Sequence, residues 1–172
     1  MRMRAEHVVK LLREYIKKGK MQKSVLPNNV LLAEVDRLIK DGEQVVIMTK
    51  GVSMLPFIRG GEDSALLAMP GELRIGDIAL AKANDHYVLH RIIDIDGDRI
   101  VLMGDGNVRG VERCRRADVV AVALSIIRKD GTTIDCNGRS HRTMAGIWRW
   151  MLPVRRWLLA IYRRIYRKNK TR

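Results

Sequence analysis

The sequence predicts a mainly β fold, a small antiparallel sheet with helices on its N-terminal and C-terminal sides. Short runs rich in Val, Ile and Leu recur between turn signals across the middle of the chain. Apolar residues at helical spacing occur before and after that region. A chain of 172 residues is long enough for one domain with extensions and a buried core.

Two helices are expected before the sheet. Residues 3–18 place apolar side chains at helical spacing opposite Lys and Arg, and the Gly, Pro and Asn of residues 19–28 indicate a linker. A second helix is predicted over residues 29–41, with Asn29 as its cap and Asp41-Gly42 at its end. We therefore expect an N-terminal arm over residues 1–28 and the main domain over residues 29–138.

The middle of the chain predicts about six strands in a small antiparallel unit. Three turn signals, Asn84-Asp85, Asp96-Gly97-Asp98 and Lys129-Asp130-Gly131, predict hairpins. One longer connection is expected across residues 59–76. The predicted strands are EQVVIMTKG, DIALAKA, HYVLHRIIDI, RIVLMG, ADVVAVALSIIR and TTIDC.

The formal charge of +14 is concentrated at the two ends of the chain. Residues 1–50 contain 11 Lys or Arg against 6 Asp or Glu, and residues 51–138 contain 11 against 13. Residues 139–172 contain 11 Lys or Arg and no Asp or Glu. Polycationic ends of this kind suit an anionic surface such as phospholipid or nucleic acid.

Residues 139–172 are predicted to form a basic, aromatic, amphipathic helical tail. Pro153 suits a helix start, and all three tryptophans lie in this segment. Aromatic groups beside cations are typical of interfacial membrane helices, so peripheral contact with an anionic membrane is the favoured interpretation. Packing on the β domain or on a protein partner is the alternative, and nucleic acid is the least favoured partner. The apolar stripe of the tail comprises Val154, Leu158, Ile161 and Ile165.

A conventional membrane span is not expected, because no uncharged apolar run reaches 18 residues. The charged N-terminus also lacks the uninterrupted apolar region of a secretory signal. We expect peripheral membrane association, with the cytoplasm as the alternative. Cys114 and Cys136 indicate neither a metal site nor a disulfide framework, and a bridge between them is left open. No metal or organic cofactor is implied.

Residues 51–56, Gly-Val-Ser-Met-Leu-Pro, allow two interpretations. Gly, Ser and Pro make turns, whereas Ser53 would be a nucleophile if a base lay nearby. His90 is the candidate base, since it lies in an apolar run where a buried imidazole requires a partner. Asp105 follows the next strand, where a carboxylate would orient the histidine, although its Gly-Asp-Gly-Asn setting is also a good turn.

Four short boxes in a fixed order favour the catalytic interpretation. They are Gly-Val-Ser-Met-Leu-Pro at 51–56, Gly76-Asp77, His90-Arg91 and Gly-Asp-Gly-Asn at 104–107. In this order they resemble the peptidase S24/S26 superfamily, which comprises type I signal peptidases and LexA-like self-cleaving proteins. The resemblance covers residues 43–136 and implies that family's coiled β-sheet fold.

The resemblance implies a serine endopeptidase that cleaves leader or secreted peptides. Ser53 would be the nucleophile, and its main-chain N–H would contribute to the oxyanion hole. The same loop contains Gly51, Met54 and Pro56 of the family pattern. Which peptide is cleaved, at which motif, on which side of a membrane and in which oligomeric state are not specified by the residues.

The resemblance assigns the general base to His90, at the position where most bacterial members have a lysine. In this the chain is similar to the archaeal and endoplasmic-reticulum type of signal peptidase. Asp105 would complete the triad, and Asp77 would have a turn role. Histidine-type enzymes usually carry a further acidic residue shortly after this box, and here the nearest is Glu112, which is the alternative acidic partner. Lys82 lies one strand too early to be the family's lysine.

Two other functions are left open. One is a catalytically decayed β module that binds a membrane or a peptide partner. The other is a LexA-like self-cleaving regulator, which would cut an Ala-Gly bond such as Ala145-Gly146. That bond follows the catalytic boxes instead of preceding them, and residues 1–50 are short for a DNA-binding domain plus a cleavage loop.

Overall fold

A strongly curled antiparallel sheet, preceded by one helix and followed by two, makes up the part of the chain that the computed structural model describes, residues 28–84 and 86–170. The predicted mainly β fold with flanking helices is therefore confirmed. The helix predicted over residues 3–18, and nearly all of the arm over residues 1–28, lie outside the described residues.

Eight strands and three α-helices are present in the described residues. The helix predicted over residues 29–41 is confirmed to within one residue at each end. The strands are β1 (Val45–Met48), β2 (Ser64–Ala68), β3 (Ile78–Ala83), β4 (His86–Asp96), β5 (Arg99–Met103), β6 (Glu112–Arg115), β7 (Val119–Ile127) and β8 (Thr133–Asp135). The helices are α1 (Asn28–Lys40), α2 (Arg139–Trp150) and α3 (Leu152–Lys170), and a short 3₁₀ turn (Arg116–Asp118) leads into β7.

The strand order along the sheet is β1-β2-β7-β3-β4-β5-β6. β2 pairs with one edge of β7, and the opposite edge pairs with β3 and then with β8. Register shifts interrupt the β2–β7, β3–β7 and β4–β5 pairings. Bulges of this kind increase the local twist, which accounts for the curl of the sheet.

The three predicted hairpins are all formed. β3 pairs with β4 across Asn84, β4 with β5 across Gly97, and β7 with β8 across Gly131. Asn84 has a φ of 48° and Gly97 a φ of 57°, the left-handed conformation that tight hairpin turns require. Turn chemistry therefore fixes the three local pairings.

The prediction of six strands was wrong, because it missed β2 and β6. β2, with the sequence SALLA, lies inside the segment expected to be a long connection, and it occupies the second position of the sheet. Ala has a low β propensity, so this strand forms because burial of its middle residues outweighs local preference. β6, with the sequence ERCR, carries three charged residues, which is typical of a strand at the end of a sheet.

The apolar core has two parts. In the first, Val35 and Ile39 of α1 pack with buried residues of β2, β3 and β7, and the same cluster contains Met54 and Ile58. The second lies among β3, β4, β5 and the start of β7, with Ile92 and Ile100 fully buried. The segment that follows β1 and carries Ser53 is therefore anchored in the first part of the core.

The two C-terminal helices present one face to the domain and leave the predicted apolar stripe outside. Arg155 and Leu159 of α3 are 3% and 1% exposed, whereas Val154 is 49% and Ile161 61% exposed. Leu158 is half-buried, and the side chain of Ile165 lies outside the described residues. The buried face of α3 thus includes an arginine that a helical pattern would assign to solvent.

The question of a bridge between the two cysteines is answered by their positions. Cys114 lies in the second part of the core, and Cys136 packs against the first. The two cysteines do not form a disulfide bond with each other. Burial raises the pKa of Cys114 to about 11 and that of Cys136 to about 12, so both thiols stay protonated near neutral pH and neither is an activated nucleophile.

Candidate active site

Ser53 lies in a turn that leaves the end of β1 and enters the apolar core. Met54 and Leu55 are buried on its C-terminal side, while Ser53 itself is half-buried. The base of the turn is closed by Thr49, whose hydroxyl and amide both donate to the carbonyl of Asp63, at 2.8 and 3.1 Å. Buried neighbours and main-chain hydrogen bonds thus hold the serine at a defined place beside the sheet.

His90 projects from the middle of β4 and is 6% exposed. Its Nδ1 lies 2.8 Å from Oε2 of Glu112. Glu112 is the first residue of β6 and pairs with Leu102 of β5, which pairs in turn with Ile92 of β4. The register of three neighbouring strands therefore brings the carboxylate to the histidine.

The contact with Glu112 determines which ring nitrogen of His90 carries the proton. An ionised carboxylate only accepts hydrogen bonds, so the neutral imidazole must donate from Nδ1. Nε2 is then the nitrogen with the lone pair, and it lies beside Gly104, which also approaches the carbonyl of Ser53. A histidine held in this tautomer is suited to accept a proton on Nε2.

Among the described residues, Asp105 makes no hydrogen bond to His90, which contradicts the expectation that Asp105 orients the histidine in a Ser53/His90/Asp105 triad. Both carboxylate oxygens of Asp105 are bound by Arg91, with Nε 2.8 Å from Oδ1 and Nη2 2.6 Å from Oδ2. Arg91 is 1% and Asp105 2% exposed. Consecutive residues of a strand point to opposite faces, so His90 and Arg91 require two different carboxylates. The alternative partner, Glu112, is the residue bonded to the histidine.

The turn at residues 104–107, called the 104–107 turn below, brings Ser53 and His90 together. The amide of Gly106 donates to the carbonyl of Ser53 at 2.6 Å. A β-carbon on Gly104 would lie 2.5 Å from that carbonyl oxygen and 3.1 Å from Nε2 of His90. One on Gly106 would collide with the carbonyl oxygen of Val52. Both glycines are therefore required by close approach, and the serine segment and the imidazole meet at Gly104.

Ser53 and His90 line one cleft of about 220 Å³. The end of β1 and the first half of β4 form its sides, and Leu32 of α1, Met54 and Leu80 contribute apolar walls. In the described part of the chain the Ser53 hydroxyl makes no hydrogen bond to His90. Such catalytic contacts are commonly long before a substrate binds. The cleft thus combines an apolar binding surface with one serine and one oriented histidine.

Arg91 contacts two of the other three sequence boxes and the residue that follows the remaining one. Besides Asp105, it donates from Nη1 to the carbonyl of Gly76 at 2.7 Å, and its guanidinium lies 5.1 Å from the ring centre of Phe57. Asp77 accepts a hydrogen bond from the amide of Arg74 at 2.9 Å, so it has the turn role that the sequence predicts. The sequence places Arg91 in the His90-Arg91 box but assigns it no role. Its burial and contacts show that it has a structural one.

Two further residues near the site were not predicted from the sequence. The indole Nε1 of Trp148 donates to the carbonyl of Asp105 at 2.9 Å, and Nη1 of Arg155 to that of Asn107 at 3.3 Å. Both belong to the segment predicted to be a peripheral tail. The one available signal was the placement of all three tryptophans in that segment.

Within the described residues, no cluster of three His, Cys, Asp or Glu has the arrangement of a metal site. None of the helices in the same part of the chain is long and apolar enough to cross a membrane. Comparison with protein-family models and with curated proteins gives no match to this sequence. Interpretation of the site therefore depends on its own geometry.

The two carboxylates predict different responses of stability to substitution. Asp105→Ala leaves the buried guanidinium of Arg91 without its partner and should lower the free energy of unfolding by about 3–5 kcal/mol. Glu112→Gln keeps a hydrogen-bonding group on a partly exposed side chain and should cost about 1 kcal/mol or less. Urea denaturation of both variants measures the difference.

The control is the double variant Arg91→Met/Asp105→Leu, which replaces the ion pair by apolar groups. It should be more stable than Asp105→Ala alone, because no uncompensated charge is left. Equal losses of stability in Asp105→Ala and Glu112→Gln would contradict the assigned roles.

Proposed function

We propose that this protein is a serine endopeptidase of the signal-peptidase type, with Ser53 as nucleophile, His90 as general base and Glu112 as the residue that orients it. The observation that carries the proposal is the hydrogen bond between Nδ1 of His90 and Glu112, which leaves Nε2 beside Gly104 in the cleft that Ser53 also lines. Nucleophile, base and orienting carboxylate in this relation are the parts that acyl transfer requires.

The mechanism follows from these positions. Nε2 of His90 takes the proton of the Ser53 hydroxyl as the oxygen attacks the peptide carbonyl, and the negative charge of Glu112 stabilises the resulting imidazolium. The main-chain N–H of Ser53 would donate to the oxyanion. His90 then protonates the leaving amine, an acyl-enzyme forms, and the same nitrogen activates the water that hydrolyses it. Asp105 has no step in this sequence, since Arg91 occupies both of its oxygens.

The substrate would be an extended peptide lying in the cleft. Among the described residues, β1 pairs only with β2 and lies at the end of the sheet, and its other edge would face the peptide along the cleft. A peptide strand can add to such an edge through main-chain hydrogen bonds, with alternate side chains entering pockets. The apolar walls and small volume favour small apolar side chains before the cleaved bond.

The partner would be an anionic membrane, which the exposed face of the two C-terminal helices would contact. Trp150 is 84%, Trp157 63% and Ile161 61% exposed, an unusual amount of large apolar surface for two short helices. Arg156 and Arg164 are exposed on the same helix as Trp157. Apolar and aromatic groups beside cations fit the boundary between acyl chains and anionic headgroups. This would place the protein peripherally at a membrane.

The two alternatives are less well supported. The case for a catalytically decayed module depends on the missing acidic residue of the histidine-type pattern. The contact between Glu112 and His90 supplies a carboxylate in that role and so weakens this alternative. Self-cleavage at Ala145-Gly146 is disfavoured because that bond lies within α2 and Ala145 is 2% exposed. A protease needs its scissile bond extended and accessible.

Cleavage of peptides tests the proposed function. A panel of leader-like peptides with small residues before the scissile bond would be incubated with wild type, Ser53→Ala and His90→Ala, and the products measured by mass spectrometry. Each variant should lose about 10³-fold or more in kcat/KM, because nucleophile and base act as a unit. Glu112→Gln should lower kcat by about 10²–10⁴-fold, through loss of the correct tautomer.

His86→Ala is the matched control, since His86 lies on the same strand, is exposed, and bonds only the carbonyl of Asn84 in the described part of the chain. It should cleave like wild type. Failure of wild type to cut any peptide of the panel, or retained activity in His90→Ala, would overturn the proposal.

Vesicle binding tests the membrane partner. The protein should sediment with phosphatidylserine-containing vesicles and much less with neutral ones, and salt should weaken the binding by screening. Trp150→Ser/Trp157→Ser should weaken it at least about ten-fold, given about 1.5 kcal/mol or more for burying one large apolar side chain. Met69→Ser, at an apolar side chain 51% exposed near the end of β2, is the control and should bind normally.

Gel filtration of the same variants distinguishes a protein partner from a membrane. If the face instead joins two copies of this chain, the wild type will elute as a dimer and the double tryptophan variant as a monomer. That result, or equal binding to neutral and anionic vesicles, would contradict an anionic membrane as the partner.

A further inference from the structure

The C-terminal helix pair contacts the 104–107 turn directly. Trp148 of α2 donates its indole N–H to the carbonyl of Asp105 at 2.9 Å. Arg155 of α3 donates to the carbonyl of Asn107 at 3.3 Å. The amide of Gly106, between these two carbonyls, is the group that bonds Ser53. Hydrogen bonds from two helices therefore bind the residues on either side of Gly106, which itself bonds Ser53.

Arg155 also joins the two helices to each other. Its Nη2 donates to the main-chain carbonyl of Trp148 at 2.8 Å, and its guanidinium lies 5.2 Å from the centre of the Trp148 ring. α2 and α3 thus reach the turn as one unit, with the indole and the guanidinium packed together. A displacement of either side chain would move the other.

Trp148 reaches the nucleophile segment as well. Its ring packs edge-on against Phe57 at a centroid distance of 5.9 Å. Phe57 follows the serine box and lies under the guanidinium of Arg91. The tryptophan therefore contacts both chain segments that meet at the catalytic cleft.

The burial of Arg155 indicates that its hydrogen bonds do more than hold α3 against the domain. The residue is 3% exposed, and its guanidinium donates to the main-chain carbonyls of Asn107 and Trp148. Its Nε has no partner among the described residues. Burial lowers the pKa of this guanidinium, which reflects the cost of holding the charge there. An apolar residue would dock the helix at lower cost, whereas a guanidinium can reach two carbonyls in fixed directions.

We propose that Trp148 and Arg155 are positioning residues of the catalytic site, which hold the 104–107 turn and thereby set the spacing between the Ser53 segment and Nε2 of His90. The C-terminal helices are then a part of the active site as well as a surface for a partner. The inference rests on the proposed function for its kinetic consequences and on the contacts alone for its structural ones.

The kinetic test uses Trp148→Phe, which keeps an aromatic ring against Phe57 and removes the N–H donor. Its kcat should fall about ten-fold, the effect of one hydrogen bond on a correctly placed group, while KM changes little because the cleft walls are untouched. Met144→Leu, at an exposed side chain of the same helix, is the control and should behave as wild type. Arg155→Met and the exposed Arg99→Met form a second pair, in which only Arg155→Met should lower kcat.

Hydrogen exchange at the Gly106 amide supplies a readout that does not need activity. Exchange should be about ten-fold faster in Trp148→Phe than in wild type, because the turn that carries the amide opens more often. It should be unchanged in Met144→Leu. Thermal denaturation of the same samples shows whether the whole domain or only the turn has become less stable.

The outcomes separate this inference from the proposed function. Faster exchange at Gly106 confined to the turn supports the positioning role even if wild type cleaves no peptide, in which case only the peptidase proposal falls. Unchanged exchange and an unchanged kcat in both Trp148→Phe and Arg155→Met would overturn the positioning role. An equal increase of exchange across the whole sheet would also overturn it, because the residues would then be merely structural.

Discussion

The buried guanidinium of Arg91 is the group on which the geometry of the site depends. It binds both oxygens of Asp105, the carbonyl of Gly76 and the face of Phe57. A buried charge is tolerated only when it is paired and hydrogen-bonded, so each partner is constrained to one position. β4, the turn before β3, the 104–107 turn and the segment after Ser53 are thereby held to one another.

Because Arg91 holds Asp105, the neighbouring His90 is left to a second carboxylate. The two residues point to opposite faces of β4, so one ion pair organises the interior while the other contact orients the imidazole toward the cleft. Asp105 thus pairs with Arg91 in the interior, whereas the partly exposed Glu112 pairs with His90 beside the cleft.

The sequence predicted those features that are encoded locally. Hairpin turns such as Asp96-Gly97-Asp98 and the bounds of α1 are set by neighbouring residues, and both predictions were correct. The strand SALLA was missed because its burial comes from β1 and β7, which are distant in sequence. The choice between Asp105 and Glu112 depends on the register of β5 with β6, which no local pattern records. The inward face of α3 was missed because Arg155 has the pattern of a solvated residue.

The central claim is that Glu112, and not Asp105, directs Nε2 of His90 toward Ser53. Determining the tautomer of His90 tests this claim most directly. Two-bond ¹H–¹⁵N correlation spectra of the imidazole distinguish a proton on Nδ1 from one on Nε2. The account predicts the Nδ1–H tautomer in wild type and in Asp105→Asn, and its loss in Glu112→Gln. An Nε2–H tautomer in wild type, or a change caused by Asp105→Asn and not by Glu112→Gln, would contradict it.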